Sequence, residues 1–412
     1  MPHTPFTIHH SPFTLPASVF LLFLAITISR GQGIYEFKKG LAVAQCHRYG
    51  REAIVTDKLA YLLYKGNLNK PQADGKLFTD DQGNDLVWKN IEVDSTGRFR
   101  GETLMNGYIY LTYDAGRSQK AVLNISGNSM FYFNGEPHGG DIYGDGWMYT
   151  PVKLKKGANE LLIRCTNFSR FQGVKVRLTF PEKPVLITAE DATLPHIVVG
   201  RSGEELLGAV VVINTSEKLL TGLSFTTTLN GKIKTTPVAN IGPATIRKTR
   251  FDFDPAGISA KGEHACRIQL KQNGKVLDEK ELTITAVNPE EHHSYTFISD
   301  IDGSVQYFSV APNSKMLEEQ PALFLSVHGA GVQAIGQARA YKPKNWGILV
   351  APTNRRPRGF NWEDWGRIDA LEVLEHAKKK FNPDPGRIYL TGHSMGGHGT
   401  WYIGASYPDK WA

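Results

Sequence analysis

The sequence predicts a multidomain chain in which two β-sandwich domains, residues 34–185 and 186–290, precede an incomplete doubly wound α/β sheet at 291–412. Three observations predict it. Up to about residue 290, short alternating strands are punctuated by Asn-Gly dipeptides, whose tolerance of positive φ suits two-residue hairpin turns. Beyond Glu291 the pattern changes to almost wholly apolar runs at 323–327 and 347–350, as expected of strands buried on both faces of a parallel sheet. A helical stretch and a third strand at 387–390 follow, and strand, helix, strand in that order is how a doubly wound sheet is built.

Residues 1–33 read as an export signal or an N-terminal anchor. The apolar stretch 17–28 is too short to span a bilayer comfortably, although the residues before it carry no Lys or Arg. A secreted, periplasmic or cell-surface location is expected.

In the first β region a strand ending at Met105 is expected to turn at Asn106-Gly107 into 108–113, and 130–133 to turn at Asn134-Gly135. The glycine-rich run 134–147 and the strands after it resemble the galactose-binding-like jelly-roll domains attached to secreted hydrolases. One reading makes Tyr143 and Trp147 a platform for sugar, with Asp141 and Asp145 as polar partners or calcium ligands. The other is a sandwich loop with its aromatics packed inward. In the second region, strands at 207–213, 220–229 and 268–270 and turns at Asn230-Gly231 and Asn273-Gly274 suggest an immunoglobulin-like spacer without the Cys-Trp-Cys framework.

The third region opens with a hairpin, 295–299 and 305–310, about Asp302-Gly303. Its helix, 365–381, shows Ile368, Leu371, Leu374, Ala377 and Phe381 on one apolar face. Residues 382–386 break the helix, and 387–390 lead to Ser394.

Composition excludes several classes. The 47 basic and 40 acidic residues are scattered, so no nucleic-acid footprint is expected. Cys46, Cys165 and Cys266 show no C-x-x-C spacing, so no zinc site is expected, and no other metal or cofactor; two of them pair in an oxidising compartment, or all three are small buried hydrophobes. Residues 329–334 also match a dinucleotide fingerprint, but the acidic residue about twenty positions on is missing.

The chemistry lies at Gly392-His393-Ser394-Met395-Gly396. Between an apolar strand and a small-residue helix start, this G-x-S-x-G run is the nucleophile elbow of an α/β-hydrolase, the tight turn at Gly392 and Gly396 exposing the Ser394 hydroxyl. Met395 offers its backbone N–H to an oxyanion at the start of a helix, and the loop His328-Gly329-Ala330-Gly331 stands where the second donor is expected. His328, His393 and His398 read as residues that shape the elbow.

Residues 387–401 resemble the catalytic domain of prolyl-oligopeptidase-family serine hydrolases, a resemblance covering about 295–412. It implies that Ser394 is the nucleophile and that Met395 with Gly329 and Ala330 forms the oxyanion hole. No β-propeller is evident upstream, which leaves esterase action open beside peptidase action. The family's acid and catalytic histidine are expected beyond Ala412, so the 412 residues alone are expected to be inactive. The expected partners are a peptide or ester substrate and, through the first β domain, carbohydrate, with no obligatory protein partner. A second reading is a carbohydrate- or surface-binding protein with an inert hydrolase remnant.

Overall fold

Three of the Asn-Gly dipeptides close two-residue hairpins, both residues at positive φ: Asn134 and Gly135 at 50° and 90°, Asn230 and Gly231 at 46° and 73°, Asn273 and Gly274 at 48° and 83°. The fourth does not. Residues Glu102–Leu104 form a 3-10 turn rather than a strand, so Asn106-Gly107 connects that turn to the strand Tyr108–Ala115, whose neighbours are Lys39–Val43 and Gly157–Cys165. Gly107 is needed there because a Cβ would lie 1.9 Å from Val43 O.

The computed structural model describes residues 33–47, 56–80, 82–201, 206–313, 320–356 and 359–412. The stretch 17–28, and with it the expected export signal, lies outside the described residues. The chain is mostly β. Among the described residues no helix is long and apolar enough to cross a membrane.

The first unit packs a four-stranded sheet (Gly33–Glu36, Lys175–Phe180, Gln119–Ser126, Tyr149–Leu154) against a six-stranded one built around Tyr108–Ala115 and Gly157–Cys165. Every second residue points inward: Ile109, Leu111, Leu123, Ile125, Leu161 and Ile163 meet in one core. The second unit sets three strands (Val185–Thr193, Leu206–Asn214, Thr245–Phe253) against five others, with Phe225, Phe251, Val210 and Ile268 between them. All three cysteines are buried and free, which answers the pairing question; burial pushes the Cys266 thiol up to about 11.

The third unit is a five-stranded mixed sheet in the order His293–Ile298, Val305–Ala311, Gly347–Ala351, Ala322–Val327, Ile388–Gly392. The first two strands form the antiparallel hairpin expected about Asp302-Gly303, and the last three run parallel. The pleat sends Leu323, Leu325 and Val327 to the face covered by the long helix Asp364–Phe381, while Leu349 and Ala351 face the short helix Ala334–Arg339.

The long helix turns the expected face inward only in part: Leu374 and Ala377 are buried and Leu371 and Phe381 pack against the core, but the buried stripe is centred to one side of Ile368. Gly366, Asp369, Ala370, Val373, Leu374 and Ala377 are buried, and Ile368 is 37% exposed. A buried carboxylate in the middle of the stripe hid part of it from a count of apolar residues.

Hydrogen bonds stitch the units together. Lys183, at the end of the first unit, reaches the Asp278 carboxylate of the second at 2.6 Å; Thr296 Oγ1 donates to Leu207 O at 2.6 Å; and Ser294 N–H donates to His196 Nδ1 at 3.0 Å.

Candidate active site

The parallel pairing of Val327 with Gly392 brings two loops off the same edge of the sheet, the run 328–331 and the elbow. Ser394 sits at φ 56° and ψ −118°, outside the left-handed helical basin, and caps the helix Met395–Ser406. A serine held there costs about 1–3 kcal/mol, and its neighbours show what holds it. A Cβ on Gly396 would lie 1.9 Å from Val327 O, and one on Gly392 2.2 Å from Gly396 O and 2.7 Å from Thr400 Oγ1. The turn thus lies main chain against main chain, and the Ser394 side chain is turned out to solvent.

Gly329 completes the contact. A Cβ built on it would touch His393 O at 3.3 Å and Ser394 Cβ at 3.5 Å, so the loop backbone lies directly against the serine. Among the described residues, the N–H groups of Gly329, Ala330 and Met395 have no hydrogen-bond acceptor. Free donors beside a serine at a helix N-terminus are what a developing oxyanion requires. The structure therefore brings Ser394, Met395, Gly329 and Ala330 together, with Gly392, His393, Gly396 and His328 around them; Gly331, at φ 79°, turns the loop.

His328 is fully buried, with Nδ1 2.9 Å from Gly329 O and Nε2 3.0 Å from Thr353 O. Burial lowers its pKa more than these carbonyls raise it, and the neutral ring, with a single N–H, donates to one of the two carbonyls. His398 faces Glu363, with Nε2 2.7 Å from Oε1, and His393 is exposed. Among the described residues no imidazole hydrogen-bonds to the Ser394 hydroxyl.

Sequence reasoning missed the layer behind this loop. Trp362, fully buried at φ 63°, donates its indole N–H to His328 O at 2.9 Å and fills the space where a Cβ on Gly399 would lie 2.5 Å away. Thr353, whose carbonyl meets His328, donates its N–H and hydroxyl to Asp369 Oδ2, both at 3.2 Å. Burial pushes the Asp369 carboxyl up to about 6, against the pull of Arg355, whose Nε lies 3.2 Å from Oδ1. The only sequence signal was position: residues 352–363 follow a buried strand, as 328–331 do, but carry no glycine motif.

In the first unit, Tyr143 is half-buried and Trp147 is 36% exposed, so the pair does not pack wholly inward. Asp141 is a loop staple, which corrects its reading as a sugar or calcium partner. It is buried, Oδ1 accepts from Gly144 and Asp145 N–H at 3.0 and 3.2 Å, and Oδ2 accepts from Gly146 N–H. Asp145 remains exposed.

The one group of potential metal ligands among the described residues lies elsewhere, at Asp300, Glu372 and His376. Glu372 is already engaged by Ser299, Asp300 N–H and Arg355.

No protein-family model matches the chain. It is similar to the poly(3-hydroxyalkanoate) depolymerase C of Paucimonas lemoignei, 28% identical over 152 residues, 31% of this chain and 35% of the relative. The chain thus spans about a third of the length of that curated relative. Among solved structures, an S-formylglutathione hydrolase from Agrobacterium tumefaciens is 17% identical, with 29% of this chain and 55% of that one covered and a TM-score of 0.24. The exo-chitosanase CsxA of Amycolatopsis orientalis is 12% identical, with 67% and 36% covered and a TM-score of 0.29. Esterases and other serine hydrolases stand among the solved structures to which the chain is similar.

Proposed function

We propose that the chain carries the nucleophile of a serine hydrolase of α/β-hydrolase type, exported from the cell, that cleaves an ester through an acyl-enzyme on Ser394. The observation that carries this reading is the strained Ser394 lying against Gly329, with the free N–H groups of Gly329, Ala330 and Met395 beside it. Ser394 Oγ attacks the carbonyl carbon, the oxyanion is held by those N–H groups, and the alcohol leaves with a proton. Water then attacks the acyl carbon and releases the acid.

Export rests on the apolar stretch 17–28. An ester is favoured over a peptide bond on the similarity to the depolymerase, which by its name acts on a poly(3-hydroxyalkanoate). The hydroxyl needs an imidazole to take its proton. His328 is held between carbonyls and His398 is turned to Glu363, so neither fills that role.

A fluorophosphonate probe tests both parts. The expected result is slow labelling of the peptide that contains Ser394, absent in Ser394→Ala and accelerated by free imidazole, which supplies the base from solution. Equal labelling of Ser394→Ala would overturn the assignment of the nucleophile. Fast labelling that imidazole does not change would show that the chain holds its own base.

A further inference from the structure

A cleft of about 480 Å³ opens where the three units meet, within the range of ligand sites. The first unit contributes Tyr143 and Trp147, the second Glu190 and Asp191, and the third Tyr307 and Arg356. The second unit's share comes from an irregularity in its sheet. Thr188 pairs with Val211 and Thr193 with Ala209, so the strand takes five steps where its partner takes two, and the surplus residues are pushed out into the cleft. A larger cavity, about 580 Å³ around Trp88, lies within the first unit and shares no wall with the elbow.

We propose that this cleft binds a run of sugar rings of a neutral polysaccharide. The substrate cut at Ser394 is then a carbohydrate ester, an extension that rests on the serine-hydrolase reading, whereas sugar binding by itself does not. Three observations carry it.

The cleft shares the loop of the active site. Gln333 and Thr353 line it; Gln333 lies four residues beyond Gly329, within about 14 Å of extended chain, and Thr353 O touches the His328 ring.

The charges nearly balance. Asp191 is paired with Lys248 at 2.9 Å, Asp141 is used by its own loop, and Arg355 is held by Asp369 and Glu372. Neither a polyanion nor a polycation finds a surplus of opposite charge.

The polar groups need both donors and acceptors. Glu190, which takes the Tyr149 hydroxyl on Oε2, is an exposed carboxylate whose other oxygen accepts, Arg356 donates, and Trp147 offers a flat apolar face. A polyester has acceptors only and would set its carbonyl oxygens against that carboxylate. A pyranose gives hydroxyls that donate to Glu190 and accept from Arg356, and C–H faces for the indole.

Titration calorimetry of the 412-residue chain with cellohexaose and xylohexaose tests the site. The expected result is binding of at least one of them, weakened about tenfold or more by Trp147→Ala, the effect of truncating an aromatic anchor, and less by Glu190→Gln. Thermal melting of each variant separates loss of the site from loss of the fold. Tighter binding of oligomers of 3-hydroxybutyrate, no heat with either sugar, or binding unchanged in a folded Trp147→Ala would overturn the proposal. Labelling of Ser394 on the same preparation distinguishes the failures. Label without sugar binding sinks the cleft alone, and sugar binding without label sinks the hydrolase reading alone.

Discussion

The turn around Ser394 and the tip of the loop from Asp141 to Trp147 both carry glycines, and what surrounds those glycines differs. At the elbow, added Cβ atoms on Gly392 and Gly396 would strike main-chain oxygens at 2.2 and 1.9 Å. At the tip of the loop a Cβ on Gly146 meets nothing within 4 Å, and glycine serves there for its φ of 81°. The tip takes its shape from one side chain, the Asp141 carboxylate, which gathers three N–H groups. A turn fixed by main-chain contact has a single geometry, which suits a reacting atom. A turn drawn by one carboxylate can be reshaped by a single substitution, which suits a recognition surface.

Substitutions rank the two regions. Gly396→Ala has the largest expected effect, roughly 3 kcal/mol or more of lost stability in urea denaturation, because neither Val327 O nor the helix can move away cheaply. Fluorophosphonate labelling should be lost with it, and a stable variant that still labels would break the comparison. Asp141→Ala should cost about 2–3 kcal/mol by stripping the carboxylate acceptor from three part-buried N–H donors, and limited proteolysis should then cut within 140–148. Gly146→Ala adds only the strain of a left-handed alanine, about 1–2 kcal/mol, read as a small fall in melting temperature. The smallest effect has the opposite sign. A Cβ on Gly397 meets nothing within 4 Å inside a helix, so Gly397→Ala should stabilise by about 0.5–1 kcal/mol, one residue from the most damaging change.

The same contrast explains which parts could be read from the sequence. The elbow and the loop 328–331 were legible because only glycine satisfies main-chain crowding, and three hairpins because Asn-Gly accepts positive φ at both positions. Asn106-Gly107 misled because that signal does not say what precedes it, and Glu102–Leu104 is a 3-10 turn. The inward stripe of Asp364–Phe381 was read only in part because Asp369 occupies it, a carboxylate buried against Arg355 and Thr353 that no count of apolar residues includes. Trp362 and the cleft were beyond local pattern, since their neighbours come from segments far apart in the chain.

The extra residues between Thr188 and Thr193 carry a consequence for inheritance. Because they bulge from an otherwise regular ladder, an in-frame deletion of residues 189–191 would match the two steps of the partner strand and keep Ala192 with Val185, Ile187 and Val210 in the second unit's core. The wall of the cleft is thus a feature that a lineage can gain or lose in one genetic event while the protein continues to fold. The elbow offers no such freedom, so descendants of this chain could exchange what they hold far more readily than how they cut.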